Sequence, residues 1–421
     1  MLKMGYAEAD ITPLVPVEMV GFSRADNMSR GILQPLLAQV TVWKEEELCC
    51  LITIDNLGFK QDLCDNLRES ICRELEIAKE KVMVCFSHCH SAPNVAIETE
   101  YYKEVCNKVK PAVQEAGKKL CEVYAGYGNA TVDIGVNRRQ GTDALDKRAG
   151  IIKVCNARTG VTELLLLRVT AHCNVLKSDN YMISPDYFGE IRKLLKEQYH
   201  CPVMVIQGSA GNIAPKYFQS EETPVDARGK LYVRSQTGLM DMAGEVLKKT
   251  VPVIDCLEVK KDVSVRMYSR NLLLCANVPE YEEAEQIAKE AKENCGIDGT
   301  KWLEEVKHLN ECEIGQQEEW AEVQYFKIGA LCLCGVSYEL MEGFAISVQE
   351  KLQDEFFYLN GYTNACLTYF PTEEEFARGG YEVYWSMLIY YIYFNRVFPF
   401  VKESAAKLID FVVKNAPEKS S

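Results

Sequence analysis

Lys81-Val82-Met83-Val84-Cys85-Phe86-Ser87-His88-Cys89-His90-Ser91-Ala92-Pro93 is the stretch on which the reading of this chain turns. Val82 to Phe86 is an unbroken apolar run, the mark of a strand covered on both faces, and it stops at a polar turn that bears histidines. Leu164-Leu165-Leu166-Leu167-Arg168-Val169 repeats the arrangement and runs into Thr170-Ala171-His172-Cys173-Asn174. Two further runs, Cys49 to Ile54 and Pro202 to Ile206, end in Asp55-Asn56 and in Gln207-Gly208-Ser209-Ala210-Gly211-Asn212. Between them the apolar spacing predicts helices over Asp62 to Glu76, Lys103 to Leu120 (kinked at Pro111), Pro185 to Glu197 and Lys230 to Lys249. Buried strands alternating with amphipathic helices predict an α/β fold, with a largely parallel or mixed sheet, flanking helices and a metal site at the C-terminal ends of strands.

After about Val253 the composition shifts. Ile254 to Leu274 reads as strands and Pro279 to Asn310 as a Glu/Lys-rich helical segment. Residues 255–320 are therefore expected to form a helical insertion or second-lobe segment within one domain spanning 1–421. Trp320 to Val336 reads as two strands, Glu342 to Gln353 as a helix, Phe356 to Leu359 as a strand and Lys402 to Asn415 as a closing helix. The longest apolar stretch, Tyr384 to Val401, is interrupted by Asn395, Arg396 and Pro399; it is expected to be a buried helix, too short on either side to span a bilayer.

The 421 residues are 48% hydrophobic and 26% charged, a globular composition, and carry a formal net charge of -14. That balance excludes a nucleic-acid groove, which needs clustered Lys and Arg to displace counterions. The opening Met1-Leu2-Lys3-Met4-Gly5-Tyr6 shows no secretory pattern, so a cytoplasmic location is expected. The 18 cysteines include no CxxC pair, and in a reducing compartment they read as small core hydrophobes.

Only five histidines occur, His88, His90, His172, His200 and His308. His88 and His90 are two apart, so on an extended strand end they face one side. Either both imidazoles converge on one ion, or one binds it while the other orients a water. His172 stands in the same context, and Glu339 follows the apolar run Leu331 to Val336 in the same way. Two imidazoles and a carboxylate suit zinc with a position left for water, whose pKa then falls to about 7. Asp55 and Asn212 also end strands, where turn and capping roles compete with site roles. His200 and His308 read as surface residues.

Taken together these residues resemble the catalytic domain of the neutral (non-lysosomal) ceramidases. The resemblance rests on Gly5 to Pro13 with its Ala9-Asp10-Ile11-Thr12-Pro13, on Gly21-Phe22, Arg30-Gly31-Ile32, Ile54-Asp55 and Ser87 to Pro93, and on Asn137-Arg138 followed by Asp146-Lys147. It continues through Gly208 to Pro215, the segment around Glu339, and Gly361 to Tyr381. It implies one zinc ion per chain, bound by His88, His172, Glu339 and the phenol of Tyr369, with Tyr362 the alternative for that phenol. It further implies that His90 hydrogen-bonds near the metal, that Arg138 holds a substrate oxygen, and that Asn137 and Asn212 lie on the substrate side. Where the family has an active-site serine in a Gly-Asp-x-Ser-Pro context, this chain has Gly211-Asn212-Ile213-Ala214-Pro215. On this resemblance, the family's C-terminal β-sandwich domain and secretion signal are expected to be missing.

The function expected is zinc-dependent hydrolysis of an amide (N-acyl) bond in a small soluble or lipid-derived substrate, through a metal-activated water. Ala214 motivates one alternative, a non-catalytic ligand-binding pseudoenzyme. The same metal chemistry allows another, an ester or phosphoester hydrolase.

Overall fold

The computed structural model describes residues 1–14, 16–139, 141–216, 236–394 and 396–419. The start of the helix expected over Lys230 to Lys249, and Asn395, lie outside the described residues.

Eight strands form the main sheet: β1 (Lys3–Asp10), β2 (Leu37–Lys44), β3 (Leu48–Ile54), β4 (Val82–Phe86), β5 (Cys121–Thr131), β6 (Arg148–Asn156), β7 (Thr162–Val169) and β8 (Val203–Gln207). Their spatial order is β8-β7-β6-β5-β1-β2-β3-β4. The two four-stranded halves join through only two residue pairs, Lys3 with Glu122 and Met4 with Cys121. Helices α1 (Gln61–Leu75), α2 (Thr99–Lys118), α3 (Asp186–Tyr199) and α4 (Gln236–Cys256) accompany the main sheet. Then come β9 (Val265–Asn277), α5 (Tyr281–Cys295), α6 (Thr300–Glu311), β10 (Gln316–Ile328), β11 (Leu331–Gly335), α7 (Glu342–Leu352), β12 (Phe357–Asn360) and α8 (Glu403–Asn415). The second sheet has the order β9-β10-β11-β12, and α5 and α6 sit in the connection between its first two strands.

The layers follow from strand periodicity. Leu165 and Leu167 join the cluster containing Val105, Val109, Ile191 and Val246 from the helices. Their neighbours Leu164 and Leu166 point the other way, into a cluster shared with Phe326, Leu331 and Leu333 of the second sheet. The far face of that sheet packs on Phe344 and Val348 of α7 and Leu408 and Val412 of α8. Helices, sheet, sheet and helices thus stack in four layers, which is why the strands read as unbroken apolar runs. Each fully buried Leu or Val contributes about 1.5–3 kcal/mol. Close approach is needed as well: a Cβ at Gly5 would lie 1.9 Å from the Ala116 carbonyl oxygen of α2.

The sheet is mixed, as one form of the expectation had it, but parallel pairs are the minority. Only β3 with β4 and β7 with β8 run parallel in the main sheet, and β11 with β12 in the second. The reason is connection length: residues 45–47 and 157–161 are too few for a crossover and turn β2 into β3 and β6 into β7 antiparallel. Two local expectations also change. Residues 254–256 close α4, and the strand begins only at Val265. Tyr384 to Val401 is not one buried helix but part of a chain of short turns, Tyr381–Trp385, Met387–Tyr390 and Tyr391–Tyr393, with Ile392 62% exposed. Aromatic and β-branched residues hold a helix poorly, and the buried Arg396 guanidinium takes acceptors that a helix would not offer, Glu319 at 3.3 Å and Thr368 at 3.0 Å. Among the described residues no helix is long and apolar enough to cross a membrane.

Candidate metal centre

Each of the three parallel pairs sends its carboxyl ends to one place. Backbone hydrogen bonds lock the loops that follow: Phe86 N–H to Tyr362 O (2.9 Å), Asn364 N–H to Val84 O (2.7 Å), His172 N–H to Ile213 O (2.8 Å) and Gly211 N–H to Leu340 O (2.8 Å). A two-residue bridge adds Glu339 beside Tyr369, and a three-residue one adds Ile213 beside Asn137. At the end of β4, His88 adopts φ +56°, a left-handed conformation that a non-glycine residue holds only when its surroundings impose it.

The three imidazoles are each tied by one ring nitrogen to a main-chain carbonyl. Nδ1 lies 2.9 Å from Leu57 O in His88, 3.0 Å from Gly21 O in His90 and 2.8 Å from Ala210 O in His172. A carbonyl can only accept, so each Nδ1 carries a proton, and in the neutral ring Nε2 then holds the lone pair. Those lone pairs converge. His88 Nε2 is 3.1 Å from His172 Nε2, and Glu339 Oε2 is 3.1 Å from the first and 3.6 Å from the second. Nitrogens of His88, His90 and His172 lie within 4.8 Å of one another. His90 Nε2 and Glu339 Oε2 are buried without a hydrogen-bond partner. Burial, with the His88 imidazole next in size, pushes the His90 and His172 pKa values well below the usual range, so both rings are neutral. Neutral imidazoles and a carboxylate crowded around one point repel one another unless a cation sits among them, and this donor set fits a metal ion.

Gly21 makes the fit possible: at φ +96°, any Cβ there would fall 2.5 Å from His90 Nδ1. Two phenols border the cluster. Tyr369 Oη is 3.1 Å from Arg138 Nη2, which also donates to Gly211 O at 2.7 Å. Tyr362 lays its ring against His88 at 4.3 Å between centroids, and its hydroxyl is buried without a partner. Burial first and Glu339 second push both phenols well above their usual pKa. Asn137 and Asn212 stand behind Arg138: Asn212 Oδ1 accepts from Glu342 N–H at 2.8 Å, and Asn137 Nδ2 donates to Ala144 O at 3.0 Å.

Beside Glu339 opens a cavity of about 280 Å³ walled by Val20, Phe22, Leu57, Tyr381, Ile389 and Tyr390. Cys366, with Sγ 3.6 Å from His88 Nδ1, and Glu382, 2.8 Å from Arg138 Nε, also belong to the site; nothing in their sequence context marks either. His200 and His308 are exposed. Asp55 takes a structural part, holding Arg192 at 2.9 and 2.5 Å.

Among solved structures, that of neutral ceramidase from Pseudomonas aeruginosa matches over 100% of this chain and 76% of that one, with a TM-score of 0.71 and 17% identity. A ceramidase complexed with C2 matches over 90% of this chain and 71% of that one, with a TM-score of 0.69 and 16% identity. The likeness places this chain in the ceramidase catalytic fold. No protein-family model matches the sequence, and neither does any curated protein.

Proposed function

We propose that the protein is a zinc-dependent amidohydrolase that cleaves the N-acyl bond of a small soluble or lipid-derived substrate, with one ion held by His88, His172, Glu339 and the Tyr369 phenol. The observation that carries the reading is the convergence of imidazole lone pairs, each fixed by a proton on the opposite nitrogen, on an unpartnered carboxylate oxygen. The shared fold supports it, since a ceramidase is by its name a hydrolase of an N-acyl amide.

A zinc ion supplies, when bound, Lewis acidity and a means of ionising water near neutral pH. The chain's own residues do the rest. Arg138, joined to Tyr369 at 3.1 Å, offers a donor to the carbonyl oxygen as negative charge gathers on it, and Tyr369 adds a second as its phenol loosens from the ion. His90 takes a proton from the attacking water at Nε2, the ring nitrogen that Gly21 leaves free. It then passes that proton to the departing amine. Asn212 and Asn137 brace the Arg138 loop on the substrate side. The cavity beside Glu339, with Phe22, Leu57, Ile389 and Tyr390 in its wall, takes the acyl or alkyl part of the substrate. All eighteen cysteines are free thiols, which suits the reducing cytoplasm proposed as its location.

The test is elemental analysis of the purified protein together with hydrolysis of a panel of short N-acyl amides, esters, phosphoesters and long-chain ceramide. About one zinc per chain and turnover of short amides is the expected result. Metal without turnover on any substrate would replace the reading with a binding protein, and turnover confined to esters or phosphoesters would change the reaction class.

A further inference from the structure

Arg138 and Arg139 are neighbours in sequence but reach opposite ends of one carboxylate. Glu382 Oε1 accepts from Arg138 Nε at 2.8 Å, and its Oε2 accepts from Arg139 Nη1 at 2.7 Å. Arg139 goes on to Glu375 through Nε at 2.6 Å and to Gly379 O through Nη2 at 2.7 Å. The second oxygen of Glu375 accepts from Arg378 at 2.7 Å. The resulting row, Arg138–Glu382–Arg139–Glu375–Arg378, alternates in charge and divides each carboxylate between two guanidinium groups through charge-assisted hydrogen bonds.

The acidic members of that row lie on one stretch, residues 373–394, which also supplies Tyr381, Ile389, Tyr390 and Tyr393 to the cavity beside Glu339. The stretch is built of short turns, and between the first and second of them it bends at Gly379 and Gly380, at φ +54° and +82°. Its hold on the two arginines is made largely of side-chain ion pairs, with Glu382 8% and Glu375 5% exposed. One carboxylate therefore touches both the guanidinium that faces Tyr369 and the stretch that walls the cavity.

We propose that Glu382 is a positioning residue that fastens residues 373–394 over the cavity and, with its other oxygen, aims Arg138, so that the wall and the arginine are set together. The part of this concerning turnover rests on the proposed function; the fastening itself does not. Loss of the Glu382 charge frees Arg138 Nε while Nη2 keeps Gly211 O and Tyr369, so the arginine turns without leaving. Loss of Arg139, which touches neither Tyr369 nor the histidines in any hydrogen bond of the structure, releases the same stretch from the far side.

Three measurements on the purified protein and its Glu382→Gln and Arg139→Ala variants decide the matter. The first is backbone hydrogen exchange in peptides covering 373–394. The second is the rate at which phenylglyoxal modifies Arg138, read by mass spectrometry, since a guanidinium stripped of its carboxylate loses its proton more readily and reacts faster. The third is kcat and KM on a short N-acyl p-nitroanilide. Both variants should exchange faster in that stretch while the rest of the chain is unchanged. Glu382→Gln should label at Arg138 several-fold faster and lose at least tenfold in kcat at parental zinc content, and Glu382→Asp should recover part of the loss. Unchanged labelling and exchange in Glu382→Gln would overturn the proposal, as would faster exchange with parental labelling and kcat, which would make the row structural only. If the parent hydrolyses no amide, the functional reading fails, and labelling and exchange still decide whether Glu382 sets Arg138.

Discussion

The imidazole corner and the guanidinium–phenol corner of this site are held by different kinds of bond. At the first, three rings from the ends of β4 and β7 are each fixed by a main-chain carbonyl, and the carbonyls are fixed by interlocked strand ends. At the second, Arg138 keeps one main-chain acceptor, Gly211 O, and is otherwise held by side chains: Tyr369, 231 positions away, and Glu382 from a stretch of short turns. The difference is one of stiffness. Backbone anchors suit ligands that must stay in register around an ion, because a metal tolerates little displacement of its donors. Side-chain anchors can exchange, which suits groups that meet a substrate oxygen only as charge develops on it.

The sharpest way to break this division is at the imidazoles. Replacing His88 or His172 by Ala should strip the protein of most of its metal, a loss in affinity beyond the about 10- to 100-fold typical of removing an outer partner, and turnover should vanish with it. Elemental analysis of the two variants checks this. Retention of a full complement of zinc in either would mean that His90 and the remaining ring suffice and that the ligand set is drawn wrongly.

At the other corner the metal should survive. Tyr369→Phe and Arg138→Ala are each expected to keep their zinc and to lose roughly 10²- to 10³-fold in kcat, the usual consequence of removing an oxyanion donor. Tyr362→Phe is the control that sharpens the comparison, because its phenol is also buried near Glu339 but lies against the His88 ring. A dead Tyr362→Phe beside a fully active Tyr369→Phe would move the phenol role from one residue to the other.

A smaller effect should be visible without any substrate, in the metal-free protein. The folded His90 and His172 have pKa values below those of the unfolded chain, so as pH falls below about 6.5 the unfolded state takes up protons first and stability drops. Each such histidine contributes a slope of up to about 1.4 kcal/mol per pH unit. Asp186 works against this: burial raises its pKa to about 6, so below that pH the folded state gains a proton sooner than the unfolded one and stability rises. Urea unfolding between pH 7.5 and 5 should therefore show a loss that begins above pH 6 and flattens below it. His90→Gln should reduce the early slope, and Asp186→Asn should remove the flattening. A parent whose stability is level across this range would show that the imidazoles are not held neutral.

How much of this was legible in the sequence differs between the corners for the same reason that their stiffness differs. Val82 to Phe86 and Leu164 to Val169 announce buried strands, and a histidine just past a buried strand is a local signal, as is Glu339 after Leu331 to Val336. The four layers were not legible, because whether a doubly buried strand lies under helices or under a second sheet depends on partners far along the chain. Nor was the antiparallel majority, which the short connections at 45–47 and 157–161 imposed. Cys366 and Glu382 carry no local pattern at all; they enter the site because Asn364 N–H finds Val84 O and because the 373–394 stretch breaks into turns where the apolar count pointed to a helix.

The smallest effect expected concerns Ala214, where the ceramidases that the sequence resembles are expected to have a serine. Ala214 is half-buried and pairs with Val136 in the bridge that carries the chain from Asn212 to Pro215, two residues before the start of the Arg138 loop in the partner strand. Neither corner draws a bond from its side chain. If the imidazoles hold the ion and Arg138 with Tyr369 meets the oxyanion, a hydroxyl added there contributes at most one further hydrogen bond, worth about 0.5–1.5 kcal/mol net. Ala214→Ser should then leave zinc content unchanged and alter kcat/KM on short amides by no more than about tenfold, the rate equivalent of that energy. Its larger consequence should be for substrate choice, because a new donor or acceptor matters most to a substrate that presents a hydroxyl to it, as ceramide does. Comparing short N-acyl amide with long-chain ceramide on parent and variant separates the cases. Should the variant gain a thousandfold on both, the two corners are not sufficient without the serine, and the parent is better understood as a ligand-binding relative that has kept the fold and the metal while giving up the reaction.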